Sequence, residues 1–477
     1  MLDWVFMRTK IMITDMTKGN ALKLVFLFSL PILVGNIFQQ LYQLADIFIV
    51  GRLLGGNALA AVGASAPIHF MFLIVAFSFT GGLTAVTAQR FGAGDFDGVR
   101  RSVTHSIRAS LVLSLILTAV LVLSLDWFMH ILNVPESIYK DSYNFIMILG
   151  LATVLIVAFN LLSGFIRALG DSKTPLYFLI LATVMNIILN FVLIKNTNLG
   201  VIASATGTVI AIAISVICCL VYIKKRIPIL HLKREDWKYS PSFMREHLNI
   251  AIPMSIQFSV LSLSIMIIQS VSNSFGEDVI VGLTIALRLE QLATQPLLAI
   301  GIAIATFAAQ NYGAGKIARI RDTIKKTGFM SFMISVIMSG VVFFYGRQII
   351  GSFLSEPNAF AVQVGMSYLA ISIMFYFFLG MIFIFKNTLQ SMGKPMYPVI
   401  SSVIELFIRA YVAIYLTKKI GYEGIFYASP LAWVGGAVVV FIGYYINMYM
   451  RSEQKIRAEY KKIYKKISME NGTSKAA

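Results

Sequence analysis

"LVFLFSLPILVGNIFQQLYQLADIFIV", residues 24–50, carries no lysine or arginine and a single acid, Asp46. A helix needs about 20 apolar residues to cross the hydrocarbon of a bilayer, so this stretch is long enough to span one. It is too long for a signal-peptide core and no clear cleavage motif follows it, which marks it as a retained helix. Asp46 is the anomaly in it. A carboxylate at membrane depth costs about 2.5–3.5 kcal/mol on insertion scales and by default signals function.

The same apolar pattern recurs down the chain. Of its residues 58% are hydrophobic and only 13% charged, with mean hydropathy +0.79; a soluble domain is nearer half apolar and a quarter charged. The expected class is an all-α integral membrane protein. Twelve transmembrane helices are predicted near 22–50, 58–85, 103–125, 141–166, 176–195, 200–223, 247–272, 280–308, 327–350, 362–388, 396–417 and 424–449. Alternating strands of about ten residues, the mark of a membrane β-barrel, are absent from the sequence.

The net charge of +18 invites a nucleic-acid reading. The basic residues, however, lie between apolar segments and not on one soluble face, as positive-inside topology requires. Counting lysines and arginines outside the spans or near their ends, 32 fall on the side that holds both termini and 6 on the other; Arg288 and Arg409 lie well within spans. A multi-pass protein of the cell (plasma or inner) membrane with both termini cytoplasmic is expected. Cys218 and Cys219 are neighbours in an apolar run, a spacing that offers neither a disulfide framework nor a metal site.

The chain is also a duplication. "AQRFGAGDFDGVR" (88–100) is echoed by "AQNYGAGKIARIR" (309–321), "SLPILVGN" (29–36) pairs with "AIPMSIQF" (251–258), and "ALGDSKTP" (168–175) pairs with "SMGKPMYP" (391–398). The three offsets are 221, 222 and 223 residues. The expected organisation is a cytoplasmic segment 1–21, an N-lobe 22–223, a basic cytoplasmic linker 224–246 read as a solvated loop, a C-lobe 247–449 and a basic cytoplasmic tail 450–477. Six helices return the chain to its starting side, so the repeat is parallel. Transporters use such repeats, with substrate bound between them.

Asp46 gains meaning from the duplication. Its counterpart at offset 222 is Ile268, so the first repeat has a carboxylate that the scaffold does not demand. Pairing with Arg52, six positions on, is poor helix spacing. Asn186 and Asn190 lie at i, i+4 and share a helix face; they either bond between helices or surround Asp46. Gln39, Gln40, Tyr42 and Gln43 form a polar cluster beside Asp46 that lines a cavity or bonds between helices. Pro31, on the same helix, either makes a static kink or acts as a hinge; Pro67, Pro253 and Pro296 interrupt other spans. His69 is read as a packing residue, and Arg288 and Glu290 as interfacial. Glu405 and Arg409 stand at i, i+4 in the favourable order for an internal ion pair, with a substrate contact as the alternative.

Taken together, "SLPILVGNIFQQLYQLADIFIVGRLLG", the paired "AQRFGAG" and "AQNYGAG" loops, "RALGDSKTP" and "GIFYASPLAW" resemble the MATE (multidrug and toxic compound extrusion) transporters over about residues 16–450. The resemblance implies a twelve-helix, two-lobed fold that exports organic, often cationic, compounds in exchange for Na⁺ or H⁺. It places Asp46 on the family's first-helix carboxylate, which takes the coupling cation, and Asn186 on its cation-site asparagine. Thr208 matches a threonine ligand. Asn190 stands where many relatives have a second aspartate, which leaves H⁺ and Na⁺ both open.

No P-loop, H-E-x-x-H, G-x-S-x-G or His/Cys cluster is present in the sequence. The expectation is a transporter rather than an enzyme, with no cofactor beyond the coupling ion, a small organic substrate, the lipid bilayer as its setting, no nucleic acid, and function as a monomer. Two rivals remain: a lipid-linked glycan flippase, and a channel or non-transporting scaffold.

Overall fold

A computed structural model describes residues 13–353, 358–451, 453–456 and 458. Arg8 and Lys10 of the expected amino-terminal segment lie outside them, as do Arg457, Lys461, Lys462, Lys465, Lys466 and Lys475 of the expected tail. Fourteen α-helices follow in order: α1 (Ala21–Leu54), α2 (Gly56–Gly92), α3 (Phe96–Ile131), α4 (Glu136–Leu151), α5 (Thr153–Ala168), α6 (Lys173–Asn196) and α7 (Val201–Arg226), then α8 (Pro241–Ser272), α9 (Glu277–Gly313), α10 (Ile317–Ser352), α11 (Ala359–Ser372), α12 (Tyr376–Ser391), α13 (Met396–Ile420) and α14 (Ala428–Met448). No strand occurs among the described residues.

These helices make twelve crossings. The stretch α4–α5 is one apolar span bent by 46° at Ala152, and α11–α12 is another interrupted by a 3₁₀ turn at Ile373–Phe375. Met396–Met448 is one long apolar stretch but holds two helices, α13 and α14, joined by the 3₁₀ turn Gly421–Tyr427. Leu115, Leu123, Phe344 and Phe407 are among the large apolar side chains that stay exposed. That is the face a membrane helix offers to lipid.

Two of the predicted helices are therefore broken, and at each break a hydroxyl from another helix satisfies a carbonyl. Thr118 Oγ1 on α3 donates to the carbonyl of Gly150 (3.1 Å), and Thr153 Oγ1 donates to the same oxygen (2.6 Å). In the second repeat Ser339 Oγ on α10 donates to the carbonyl of Ile373 (2.8 Å). A hydroxyl that captures a helix carbonyl compensates for the lost i→i−4 bond.

The duplication is visible in the backbone itself. Left-handed glycines occur in pairs: Gly55 (φ 86°) with Gly276 (90°), Gly94 (73°) with Gly315 (68°), Gly170 (88°) with Gly393 (73°), and Gly200 (58°) with Gly421 (69°). Each starts a helix or turns the chain between two, where a side chain would strain φ > 0. α2 and α9 begin and end 221 residues apart, as do α3 and α10.

Two compact units emerge. Val34–Ser255 forms the body of the first; Met16–Leu33 and the described residues from Ile256 to 458 form the second. The division falls inside α1 and α8, not in the loops before them. The reason lies in packing: Val25 and Phe28 at the start of α1 join the buried cluster of Ile300, Phe307 and Leu389.

The linker, expected as a solvated loop at 224–246, is exposed along much of its length and also carries local order. Its backbone folds into 3₁₀ turns at Pro228–Leu230 and Arg234–Trp237. Asp236 and Ser240 are buried. Thr104 Oγ1 on α3 donates to the Asp236 carbonyl (2.7 Å), Arg100 Nε lies 3.3 Å from the Asp236 carboxylate, and Arg90 pairs with Glu246 at 2.6 Å.

Candidate functional site

Within the first unit, α1, α6 and α7 bring one carboxylate, two amides and two hydroxyls together. Asn190 Nδ2 donates to Asp46 Oδ1 at 2.5 Å and lies 3.1 Å from Asn186 Oδ1. Ser204 Oγ donates to the same Asp46 oxygen at 3.3 Å. Asn186 Nδ2 donates to Thr208 Oγ1 (2.8 Å), which in turn donates to the Ser204 carbonyl (3.1 Å). Asn186 and Asn190 are buried, Asn190 completely.

Helix spacing explains the set. Asn186 and Asn190 are one turn apart on α6, Ser204 and Thr208 one turn apart on α7, so each helix turns one polar edge toward Asp46. Close approach of α6 and α7 needs Gly207. A Cβ there would collide with Asn190 Oδ1. Small residues at such crossings are the usual means of bringing membrane helices together.

The Oδ1 atom of Asn190 is buried and accepts no hydrogen bond among the described residues. An acceptor left bare in this way carries a desolvation penalty. Beside a carboxylate, such an oxygen suits a hard cation, whose ligands are oxygens. The residues present therefore fit a small cation or a proton at Asp46. No group of three His, Cys, Asp or Glu that could hold a metal occurs among the described residues.

Asp46, Asn186, Asn190 and Thr208 thus converge, and Ser204 joins them unforeseen. The signal was its position one turn before Thr208 on the same face. Tyr42 lies within electrostatic reach of Asp46, one turn before it on α1. Gln39 and Gln43 are exposed and Gln40 is half-buried; none bonds to Asp46. Pro31 is buried in a continuous α1, two residues before the last residue of α1 that belongs to the second unit, and the half-buried Pro253 holds the matching place in α8.

Glu405 and Arg409 do not form the expected pair. Glu405 Oε1 instead takes Lys386 Nζ of α12 at 2.7 Å and Ser401 Oγ at 3.0 Å. Lys386 also donates to Ser402 Oγ (2.8 Å) and is 7% exposed, whereas the charge count takes it as a flanking charge at the cytoplasmic end of the span 362–388. Its place near the predicted end of a span hid it. Glu290 is also buried, and accepts from the Tyr368 hydroxyl at 2.5 Å, so the interfacial reading of Glu290 fails. His69 is half-buried and lines a small pocket with Phe72, Leu121 and Ile156.

Comparison with known proteins settles the family. The MatE family profile matches residues 31–192 and again 253–415, one copy in each repeat. The chain belongs to the MatE family. It is a transporter and not an enzyme. Among its relatives, the "probable multidrug resistance protein YpnP" of Bacillus subtilis (strain 168) is 28% identical over 433 residues, covering 90% of this chain and 96% of that one. The "multidrug export protein MepA" of Staphylococcus aureus (strain NCTC 8325 / PS 47) is 22% identical over 420 residues, covering 87% and 91%. A solved structure described as the outward-facing conformation of a multidrug resistance MATE family transporter of the MOP superfamily superposes with TM-score 0.84 at 20% identity, covering 96% of this MatE chain and 99% of its own. The two-lobed, twelve-helix fold is common to both.

Proposed function

We propose that this MatE protein is an ion-coupled antiporter of the cell membrane that exports small organic, cationic or amphipathic compounds by alternating access. The relatives named as multidrug exporters support the substrate class. The observation that carries the coupling is Asp46: a carboxylate inside a membrane helix, held by Asn190 and Ser204 beside an amide oxygen with no donor.

Asp46 binds the coupling ion, and Asn186, Asn190, Ser204 and Thr208 orient it. Ion binding replaces the donors on Asp46 and so shifts α1 relative to α6 and α7, with Pro31 as the hinge. An ion biases such an equilibrium only by its differential affinity for the two states. The site has one carboxylate, which favours H⁺; the bare oxygen of Asn190 favours Na⁺ as the second reading. Neither reading needs a cofactor, and the monomer holds every residue of the site.

The test is reconstitution in proteoliposomes. Export of a fluorescent cation is expected under an imposed pH gradient at constant Na⁺, and Asp46→Asn is expected to abolish it while leaving the melting temperature in detergent unchanged. Full gradient-driven export by Asp46→Asn would sink the proposal. Flux driven by an Na⁺ gradient at fixed pH would select the second reading. Uphill flux of this kind also separates an antiporter from a channel or scaffold, and a cationic cargo separates it from a flippase of lipid-linked glycans.

A further inference from the structure

One region of the second unit holds buried hydrogen-bond donors without acceptors, near the carboxylates Glu290 and Glu405. Arg409 on α13 is 4% exposed, and its Nε and Nη1 have no acceptor among the described residues. Its neighbour one turn back, Glu405, is taken by Lys386 and Ser401. The hydroxyl of Tyr376, at the start of α12, is fully buried and equally without a partner. Arg409 and Tyr376 both lie within electrostatic reach of Glu290 on α9. A guanidinium cannot shed its charge, and a buried donor left bare is costly. Three bare donors in one region describe a place made for an acceptor.

The repeat says where that place is. Pro175 and Pro398 start the matching helices α6 and α13, 223 residues apart, and the same offset sets Arg409 on Asn186. Asn186 belongs to the Asp46 site of the first unit. The matching turn of the second unit therefore carries a fixed cation. Asp46 itself has Ile268 as its counterpart, packed with Val271, Val412 and Ala413. In the first unit a carboxylate faces amides; in the second the carboxylate of the first helix is gone and a guanidinium stands in place of an amide. The second unit thus sets a fixed guanidinium, within reach of Glu405 and Glu290, where the first has an amide.

We infer that Arg409 anchors an oxyanion subsite in the second unit, with Tyr376 as a further donor, which takes the carboxylate, sulfonate or phosphate group of an organic compound. A planar guanidinium matches these oxyanions and gives stronger, charge-assisted hydrogen bonds. Glu290 limits the affinity, because it adds a like charge nearby while Tyr368 holds it in place. The inference extends the exporter reading to a second chemical class of cargo, but binding at Arg409 does not depend on ion coupling at Asp46.

The full chain, purified in detergent, is titrated with pyrenesulfonate and with pyrenemethylammonium, two probes of one apolar body and opposite charge, by fluorescence anisotropy against a blank of empty micelles. No gradient is present. Failure of coupling at Asp46 thus leaves this result standing, and failure here leaves Asp46 untouched. Saturable sulfonate binding is expected, weakened at least about tenfold by Arg409→Gln, as for the loss of one partner of a buried charged pair. Arg409→Lys, which keeps the charge but loses the fork, is expected to fall between. Glu290→Gln removes the like charge and is expected to tighten the sulfonate. Arg409→Gln is expected to leave pyrenemethylammonium binding unchanged. The inference is overturned by unsaturable sulfonate binding in the unaltered protein or by equal sulfonate affinity in Arg409→Gln. Should that variant fail to fold, an unchanged affinity in Glu290→Gln overturns it instead.

Discussion

Lys386 decides what Glu405 is for. At 2.7 Å, with both side chains buried, the pair is a closed unit inside the second compact unit of the protein. Removing one partner of such a pair strands the other charge and costs about 3–5 kcal/mol, while replacing both by uncharged groups is often neutral. Glu405→Gln is therefore expected to lower the melting temperature in detergent sharply, and Lys386→Met in the same chain to restore most of it. Arg409→Gln is expected to restore little, because the ion pair of Glu405 is with Lys386. Rescue by Arg409→Gln would show that the pairing is wrong. Asp46 and Lys386 also mark the limits of reading single residues. Asp46 stood out because a lone acid in mid-span has no cheap explanation. Lys386 sat close to a predicted helix end, where a lysine is ordinarily a flanking charge, and only its burial against Glu405 shows otherwise. Ser204 was hidden for another reason: serine is so common where membrane helices meet that its presence says little.

At the scale of helices, the crossing of α6 and α7 rests on Gly207. Because a Cβ at 207 would strike Asn190 Oδ1, Gly207→Ala is expected to push Asn190 away from Asp46. Overpacking of this kind costs about 1–3 kcal/mol. Coupled export should fall well before the protein unfolds. Gly63→Ala, whose Cβ would meet nothing within 4 Å, serves as the control; equal activity in the two variants would refute the steric argument. The broken helices give a second test. Thr118→Val and Ser339→Ala each remove the hydroxyl that satisfies a carbonyl at a break. Hydrogen bonds between membrane helices are worth about 0.6 kcal/mol on average, so each variant is expected to lower stability by a small, similar amount. A loss from one and none from the other would argue against a shared design. Hydropathy made all twelve spans legible, since length and apolarity are additive along the chain. It could not show the breaks at Ala152 and Ile373. Those depend on a hydroxyl supplied by a different helix, and no local window contains it. The duplication was legible because its glycine-bearing loops keep left-handed turns that other residues resist, and the backbone confirms four such pairs.

For the whole molecule, what remains to be tested is orientation. With Lys386 buried and no longer a flanking charge, the count of lysines and arginines still falls heavily on the side of the chain's two ends. Only short loops and residues near the span ends count in this rule, and the linker and the loops after α2 and α9 qualify. We predict that both ends, the linker and the turn before α10 are cytoplasmic. Lys233 in the linker, Lys326 on α10 and Lys418 at the end of α13 are all exposed, so a cysteine at each can be reached by a thiol reagent. The native Cys218 and Cys219 are buried and are expected to contribute little background. Lys326 makes an exposed pair with Asp322; such pairs are worth about 0–1 kcal/mol, so its replacement should leave the fold intact. In intact cells an impermeant maleimide is expected to label Lys418→Cys but not Lys233→Cys or Lys326→Cys, and inverted vesicles should reverse the pattern. Labelling of Lys233→Cys from outside intact cells would turn the topology over.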